Sequence, residues 1–324
     1  MKKKILVTGC AGFIGFHLTN SLCKDSYSVI GIDNLNNYYD VSLKKIRLKI
    51  LKQKFKKNFK FIKLDISSKY LENIFKKYKF SIVINLAAQA GVRFSVSNPE
   101  SYLKSNINGF YNILEKSKNF NVKHFIYASS SSVYGHNKKF PYKENSTTDS
   151  PLSFYAATKK TNEIIAHSFS NIYKLPTTGL RFFTVYGPYG RPDMSLYNFV
   201  KSNFENKKIQ LFNYGKHKRD FTYIDDAVNY TKSILNKPSR LNIPFSLFNI
   251  SNKKPASLMT YVKNIEEITG NKFKIKLVPF QKGDMEITYG DNKNIKKYIK
   301  KIKYTNLKRG LQKYIEWYRS FYLK

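Results

Sequence analysis

The chain has 324 residues, a formal net charge of +37 and 42% hydrophobic residues. This length accommodates two modest domains or one large one, with enough apolar residues for a sizeable core. Two cysteines, Cys10 and Cys23, are too few for a disulfide framework or a cysteine-based metal site. No apolar run approaches the roughly 20 residues that span a bilayer. We therefore expect a cytoplasmic protein with no membrane partner.

High positive charge is typical of nucleic-acid-binding proteins. Here the lysines are scattered along the whole chain, and arginine occurs at only eight positions: 47, 93, 181, 191, 219, 240, 309 and 319. We therefore predict no nucleic-acid partner, and keep a basic, non-catalytic nucleic-acid-binding protein as the alternative from a different class. The charge is suited to attracting an anionic substrate.

Short apolar runs alternate with longer amphipathic ones through the first half of the chain. The candidate strands are KILVTG, SVIGID, FKFIKLDI, SIVINLAA, KHFIYASS and TTGLRFF. Their nearly continuous apolarity is typical of strands that are covered on both faces. Because helix-like segments separate them, the order predicts an α/β fold with a doubly wound parallel sheet, the Rossmann arrangement. The densest lysine cluster, SLKKIRLKILKQKFKKNFK, is interpreted as a solvated helix inserted after the second strand.

The regular alternation of predicted strands and helices ends after Tyr186. GPYGRPDM and FNYGKHKRDF are loop-like, IDDAVNYTKSILNK and SLFNIS indicate a return to the sheet, and smaller helices and loops follow from about residue 252. We predict a larger sheet domain from residues 1–185 plus about 220–251. A smaller C-terminal substrate-binding domain would comprise about 186–219 plus 252–324.

Three glycines in VTGCAGFIG follow the first strand directly and open a helix: Gly9, Gly12 and Gly15. This spacing suits a tight turn, close approach of the backbone to a pyrophosphate, and packing of helix on strand. Asp33 ends the second strand, where a carboxylate accepts hydrogen bonds from a ribose 2′-hydroxyl and repels a 2′-phosphate. The pattern predicts NAD rather than NADP as cofactor, with Asp65 at the end of the third strand near the adenine.

The segment FYAATKK places Tyr155 and Lys159 four residues apart, on one face of a predicted helix. A free tyrosine has a pKa near ~10 and is a poor base at neutral pH. We expect the nearby ammonium and a positive nicotinamide ring to lower that pKa, which would make Tyr155 a catalytic base. In YASSSSVYG, alternation along a strand puts Ser130 and Ser132 on one face.

These motifs are those of the extended short-chain dehydrogenases/reductases, and longer segments narrow the resemblance. GIDNLNNYYDVSLKKIRL, NLAAQAGVRFS, YASSSSVYG, FYAATKKTNE, LRFFTVYGPYGRPDM and NYGKHKRDFTYIDD closely resemble the UDP-glucuronate 4-epimerases. The resemblance covers nearly the whole chain and is weakest over roughly the last fifty residues. It implies an NAD-dependent isomerase that interconverts UDP-glucuronate and UDP-galacturonate through a transient 4-keto sugar.

The resemblance also implies roles for individual residues. Tyr155, Lys159 and Ser130 would be catalytic, with Ser130 contacting the sugar 4-hydroxyl. Besides Gly9, Gly12, Gly15, Asp33, Asp65, Tyr155 and Lys159, the expected cofactor contacts are Phe13, Ile14, Asn34, Ile66, Leu86, Ala87, Ala88, Gln89, Asn106, Ser129 and Phe182.

On the substrate side, Arg219 would hold the diphosphate with Arg191 beside it, and Arg93 and Thr184 would lie near the sugar. Ser131 and Ser132 would lie near its C5 substituent, and Asp284 would contact a ribose. Arg181, within a strand, is left open as a structural residue. No metal site is predicted, because the five histidines show no ligand-like spacing.

Related dehydratases and decarboxylases carry an acidic residue just before VYG, where this chain has Ser132. Reversible oxidation alone therefore fits better. A UDP-glucose or UDP-N-acetylglucosamine type 4-epimerase and a UDP-glucuronate decarboxylase remain as alternatives. Residues 98–119 and 154–173 resemble the helices of a four-helix dimer contact, so a homodimer is expected.

Overall fold

A parallel sheet of seven strands organises the structure, a computed structural model that describes residues 3–280, 285–299 and 304–323. The order of the strands in that sheet is β10-β6-β5-β4-β1-β2-β3. All strands, in chain order, are β1 (Lys4–Thr8), β2 (Ser28–Asp33), β3 (Phe59–Lys63), β4 (Ile82–Asn85), β5 (His124–Ser130), β6 (Thr177–Phe182), β7 (Thr184–Tyr186), β8 (Lys208–Leu211), β9 (Lys218–Tyr223), β10 (Phe245–Ile250), β11 (Pro255–Ser257) and β12 (Lys274–Leu277).

Helices connect these strands on both faces of the sheet. They are α1 (Phe13–Lys24), α2 (Val41–Lys54), α3 (Leu71–Tyr78), α4 (Phe94–Ser97), α5 (Pro99–Tyr102), α6 (Gly109–Asn119), α7 (Phe154–Tyr173), α8 (Ser195–Phe204), α9 (Ile224–Ser233), α10 (Leu258–Thr269), α11 (Lys293–Lys296) and α12 (Leu307–Tyr322). A π turn, Leu103–Asn108, joins α5 to α6, and 3₁₀ turns cover Ser131–Tyr134 and Phe212–Gly215.

All six predicted strands are present, and the doubly wound parallel sheet is confirmed. Alternation along β1 explains why its run of apolar residues is continuous. Ile5 and Val7 pack into the hydrophobic cluster on one side of the sheet, whereas Leu6 packs with Ile30 and Ile32 on the other. Burial on both faces is the condition that favours parallel strands.

Strand order reverses beside β1, which pairs with β2 on one side and β4 on the other. In an open parallel sheet this reversal leaves a crevice outside the carboxyl ends of the strands, where ligands bind. The glycine motif, Asp33 and the segment after β4 all come at these ends, so the topology brings them together.

The second half of the chain builds smaller sheets. Strands β11, β9 and β7 form a three-stranded sheet, and β12 pairs with β8. The predicted return to the main sheet occurs at β10, which pairs with β6 in parallel, while α9 packs against α1. The assignment of residues to two separate domains stays a prediction.

Helix α2 differs from the expected solvated helix. Its lysine-rich sequence does form a helix, but one face of it is buried, including Lys44 at 5% exposure and Arg47 at 0%. The reason is tertiary: these two side chains reach hydrogen-bond acceptors in loops of the adjacent cleft.

Candidate active site

A cavity of about 550 Å³ lies at the carboxyl ends of the central strands. Predicted site residues supply much of its lining. They come from the main sheet and its loops and from segments in the second half of the chain. They are Gly9, Gly12, Phe13, Ile14, Gly15, Asp33, Asn34, Asp65, Ile66, Leu86, Ala87, Ala88, Gln89, Arg93, Ser129, Ser130, Ser131, Ser132, Tyr155, Lys159, Phe182, Thr184, Arg191 and Arg219. Asn106 is absent from this lining, and Asp284 lies outside the described residues.

The glycine loop, residues 9–12, leaves room for a dinucleotide where side chains would block it. Gly9 has a φ of +68°, and a Cβ there would lie 2.8 Å from the backbone nitrogen of Ala87. A Cβ on Gly15 would lie 2.0 Å from the Gly9 carbonyl oxygen. Helix α1 begins without a side-chain cap, so its first amide groups are available for an anion. These features fit NAD.

Asp33 is fixed at the end of β2 by backbone groups. Its two carboxylate oxygens accept hydrogen bonds from the backbone N–H groups of Leu35 and Ala11, at 2.8 and 3.1 Å. Burial raises the pKa of Asp33, while those two N–H groups and the charge of Lys44 act in the opposite direction. The carboxylate lines the cavity with lone pairs left to accept further hydrogen bonds.

Asp65 is held by polar neighbours at the end of β3. It accepts hydrogen bonds from the Ser67 backbone and hydroxyl and, at 2.8 Å, from the Asn34 side chain. Burial alone would raise the pKa of Asp65, but the hydrogen bonds from Ser67 and Asn34 outweigh it and leave that pKa below its ordinary value. Asp65 therefore stays charged at the edge of the cavity.

Asn106 does not line the cavity and instead supports the residue that does. Its side chain accepts a hydrogen bond from the Gln89 N–H at 2.7 Å and donates to the Gln89 carbonyl at 3.0 Å. It also donates to the Thr158 hydroxyl on α7 at 3.1 Å. Asn106 thus fixes the segment after β4 relative to the helix that carries Tyr155. Its side chain contacts Gln89, which lines the cavity, whereas Asn106 itself does not.

Helix α7 begins at the cavity because Ser153 caps it, accepting a hydrogen bond from the Ala156 N–H at 3.1 Å. Tyr155 therefore lies in the first turn, and Lys159 lies one turn later. The Lys159 Nζ donates to the Ala128 carbonyl at 2.8 Å and lies 5.9 Å from the centre of the Tyr155 ring. Burial lowers the pKa of Lys159 to about 8.

The expectation that Lys159 lowers the pKa of Tyr155 is wrong for the protein without cofactor. Burial raises the pKa of Tyr155, and the groups that oppose this rise are Ser130, through a hydrogen bond, and Arg191, through its charge. Lys159 is not among the groups that oppose this rise of the Tyr155 pKa, and its ammonium donates to the Ala128 carbonyl. The phenol therefore has a hydrogen-bonding partner in Ser130 and a cationic neighbour in Arg191.

The serines after β5 do not continue the alternation of a strand. Residues 131–134 form a 3₁₀ turn, so Ser131 and Ser132 are no longer strand residues. Ser130 nevertheless meets Ser132, as their hydroxyl oxygens lie 3.1 Å apart and the Ser132 N–H donates to the Ser130 hydroxyl at 3.2 Å. The two hydroxyls therefore lie together at the cavity wall.

The Ser129 hydroxyl is directed to a buried carboxylate, although the residue lines the cavity. It donates to the Glu163 carboxylate at 2.6 Å, and Arg181 forms two hydrogen bonds of 2.8 Å to the same carboxylate. The Arg181 and Glu163 side chains are only 2% and 4% exposed. Arg181 thus has a structural role, because this buried pair joins α7 to β5 and β6.

The arginines on the opposite side of the cavity are held in different ways. Arg191 pairs with Asp193 through two hydrogen bonds of 2.9 and 2.6 Å, and the Tyr38 hydroxyl donates to Asp193 at 3.0 Å. The Arg93 guanidinium lies 5.4 Å from the centre of the Phe212 ring. Arg219 donates to backbone carbonyls of residues 218 and 286, both at 3.1 Å.

Several cavity residues were missed from the sequence, among them Tyr38, Lys44 and Met194. Tyr38 and Lys44 belong to the segment NNYYDVSLKK, whose resemblance to the 4-epimerases was noted without assigning a role to any residue in it. That resemblance is the one signal that could have identified them.

No group of three or more histidine, cysteine, aspartate or glutamate side chains is placed to hold a metal ion in the part of the chain that the structure describes. Within the same residues, none of the helices combines the length and apolarity needed to cross a membrane.

Comparisons with known proteins agree with this geometry. The model of the NAD dependent epimerase/dehydratase family matches residues 5–250. CapI from Staphylococcus aureus is 44% identical, covering 99% of this chain and 100% of CapI. A UDP-glucuronate 4-epimerase from Thermodesulfobacterium geofontis is 42% identical over 96% of this chain and 95% of its own length. The crystal structure of UDP-glucuronic acid 4-epimerase from Bacillus cereus, in complex with UDP-glucuronic acid and NAD, superimposes with a TM-score of 0.91 at 33% identity, covering 98% of this chain and all of that one.

Proposed function

This chain belongs to the NAD dependent epimerase/dehydratase family, and from that premise we propose that it is a UDP-glucuronate 4-epimerase. It interconverts UDP-glucuronate and UDP-galacturonate by reversible oxidation at C4. The observation that carries this proposal is one cavity that combines Tyr155, Lys159 and Ser130 with a glycine loop suited to NAD, and with a serine, Ser132, in place of an acidic residue.

NAD would be held by the glycine loop and the first amides of α1 at its pyrophosphate, and by Asp33 at its adenosine ribose. Asp65, Ile66 and residues 86–89 would complete its binding surface. When bound, NAD supplies the acceptor and donor of hydride at C4 of the sugar. Lys159, fixed by the Ala128 carbonyl, would orient it relative to Tyr155.

Proton transfer falls to Tyr155. Its phenol oxygen takes the proton of the 4-hydroxyl as hydride leaves and returns a proton when hydride comes back. Ser130 donates to or accepts from the same oxygen, which shortens the path between phenol and sugar. The positive charge of Arg191 favours the phenolate form, against the cost of burying it.

Recognition of the UDP-sugar would fall to the arginines of the opposite wall. Guanidinium groups match the paired oxygens of diphosphates and carboxylates, so Arg219 and Arg191 suit the diphosphate, and Arg93 would lie near the sugar. Inverting C4 requires the sugar to turn while the nucleotide stays in place. A diphosphate held on one wall and a sugar free to turn against the other meets that requirement.

Retention of the carboxylate distinguishes this activity from a decarboxylase. A 4-keto uronate is a β-keto acid and loses CO₂ when its C–C bond aligns with the carbonyl. Hydrogen bonds from Ser131, Ser132 and Thr184 would hold the carboxylate away from that alignment. No acidic side chain stands at position 132 to assist elimination.

A homodimer is part of the proposal. Large apolar side chains are exposed in the segments that resemble the dimer helices: Leu103 is 48%, Tyr111 46% and Ile164 58% exposed. Exposed apolar residues clustered on adjoining helices are suited to pairing with a second copy. Cytoplasmic location and the absence of a nucleic-acid partner stay predictions from the sequence.

The test is incubation of the purified protein with UDP-glucuronate, without added reductant, followed by analysis of the sugar. We expect UDP-galacturonate, with turnover of UDP-glucose much slower. A pentose nucleotide with release of CO₂ as the main product would contradict the proposal. Faster turnover of UDP-glucose or UDP-N-acetylglucosamine would assign the protein to the neutral-sugar 4-epimerases instead.

A further inference from the structure

Arg47 has a fully buried guanidinium that joins the two ligand-binding loops of the cleft. One loop is the glycine loop, residues 9–12, and the other is the arginine loop, residues 187–194, which carries Arg191. We propose that Arg47 is a positioning residue that couples the binding of NAD to the binding of the UDP-sugar. This inference rests on the proposed function for the identity of the two ligands.

The contacts of Arg47 divide between its two terminal nitrogens. Nη1 donates to the Ala11 carbonyl and to the Tyr39 hydroxyl, both at 2.8 Å. Nη2 donates to the Tyr189 carbonyl at 2.6 Å and, at 3.4 Å, to the Gly190 carbonyl. One planar group therefore spans the two loops, which no single-point donor could do.

Each loop is close to a charge that a ligand would use. Ala11 also donates its N–H to Asp33, the residue suited to the ribose, at 3.1 Å. Gly190 directly precedes Arg191, whose own guanidinium is oriented by Asp193. A displacement of either carbonyl from Arg47 would therefore move a residue that faces the cavity.

No ion pair between Arg47 and a carboxylate occurs within residues 3–280, 285–299 and 304–323. Its two terminal nitrogens donate to carbonyl and hydroxyl oxygens, and its buried Nε has no hydrogen-bond partner among the described residues. No contact with an acidic group among those residues therefore neutralises its charge. With the proposed ligands, the NAD diphosphate would contact the glycine loop and the UDP-sugar diphosphate would contact the arginine loop, the two loops that Arg47 joins. Each diphosphate would be stabilised by the charge of Arg47 and would order the loop that it contacts.

Ordering one loop through Arg47 lowers the cost of ordering the other. Such an effect is a coupling free energy, and it is reciprocal, so UDP must tighten NAD binding by the same factor as NAD tightens UDP binding. We therefore expect that removal of the guanidinium abolishes this factor in protein that is still folded.

Equilibrium dialysis of the full-length protein, first stripped of bound cofactor, against graded NAD, with and without saturating UDP, measures the factor. For the unaltered protein we expect UDP to lower the NAD dissociation constant by about 5- to 10-fold. For Arg47→Met we expect a change below about twofold. Lys49→Met is the matched control, because Lys49 is an exposed cation on the same helix, and it should keep the full factor.

Arg47→Lys covers the case in which Arg47→Met does not fold. An ammonium keeps the charge but cannot reach acceptors in both loops, so the factor should again fall below about twofold. Equal factors in the unaltered protein and in either folded Arg47 variant would overturn the role of Arg47 and leave the proposed function standing. A protein that binds NAD but shows no affinity for UDP would overturn both.

Discussion

The two walls of the cleft are built from different kinds of structure. The wall that carries Tyr155 consists of strand ends of the parallel sheet and the start of α7, with its side chains fixed by backbone groups and by a buried ion pair. The facing wall consists of loops and short strands, in which Arg191 and Arg219 are held by hydrogen bonds at partly exposed positions.

This difference assigns separate tasks to the two walls. Proton and hydride transfer need atoms held to within fractions of an ångström, which a packed sheet provides. A sugar that must turn between two half-reactions needs anchoring at its diphosphate and freedom beyond it. Changes on the first wall should therefore affect turnover or stability, and changes on the second should affect substrate affinity.

The largest effect is expected from removal of the phenol oxygen. Tyr155→Phe should lower kcat by about 10²- to 10⁴-fold, because general acid–base catalysis of this kind contributes that much. NAD content and the fold should stay unchanged, as measured by absorbance and circular dichroism. Tyr173→Phe, an exposed tyrosine at the end of the same helix, is the control. Retention of more than a tenth of the activity would disprove a catalytic role for Tyr155.

A second change removes the buried ion pair between Arg181 and Glu163, which lies behind the wall that carries Tyr155. Glu163→Gln removes the charge that Arg181 faces and should destabilise the protein by about 3 kcal/mol, because an unpaired buried charge is costly. Thermal unfolding should show a midpoint lower by about 4 °C. Glu267→Gln, in an exposed ion pair with Lys308, should leave the midpoint unchanged. Equal midpoints for the two variants would show that the buried pair does not support this wall.

On the facing wall, Arg219→Lys should raise KM for UDP-glucuronate about tenfold and leave kcat nearly unchanged. An ammonium keeps the charge but loses the two parallel donors that match a diphosphate, which removes binding common to ground state and transition state. Steady-state kinetics measure both constants, with the exposed Arg240→Lys as control. A fall in kcat at constant KM would contradict the division between the walls.

The smallest effect concerns the pH dependence of stability. Because burial lowers the pKa of Lys159 to about 8, the unfolded chain binds more protons than the folded one between about pH 8 and the ordinary lysine pKa. The contribution of Lys159 to stability is therefore unfavourable below pH 8 and improves as pH rises, by at most ~1.4 kcal/mol per pH unit. For protein stripped of cofactor, the free energy of unfolding in denaturant should therefore rise between pH 8 and 10 relative to that of its Lys159→Met variant. A constant difference across that range would mean that the lysine does not titrate there.

The same contrast explains what the sequence could predict. The strands, the glycine motif and the Tyr155–Lys159 pair are local patterns whose spacing fixes their geometry, and all of them lie where expected. Ser131 and Ser132 leave the strand because a 3₁₀ turn begins after Ser130, and strand alternation cannot report where a strand ends.

Residues whose roles depend on distant partners were harder to assign. Asn106 contacts Gln89 and does not line the cavity, and the Ser129 hydroxyl contacts Glu163. These partners are distant in the sequence, so local patterns do not show which polar atoms each side chain will contact. Arg47 resembled a solvated residue of a lysine-rich helix. Its acceptors lie 36 and 142 residues away in the chain, a distance that periodicity cannot bridge.

In the proposed reaction, hydride leaves C4 of UDP-glucuronate and returns to the opposite face of the same sugar within one cleft. Conversion of UDP-glucuronate labelled with deuterium at C4, followed by mass spectrometry and NMR of the product, tests this directly. We expect UDP-galacturonate that keeps its deuterium at C4, without exchange with solvent. Loss of the label to water, or its recovery in a decarboxylated sugar, would contradict it.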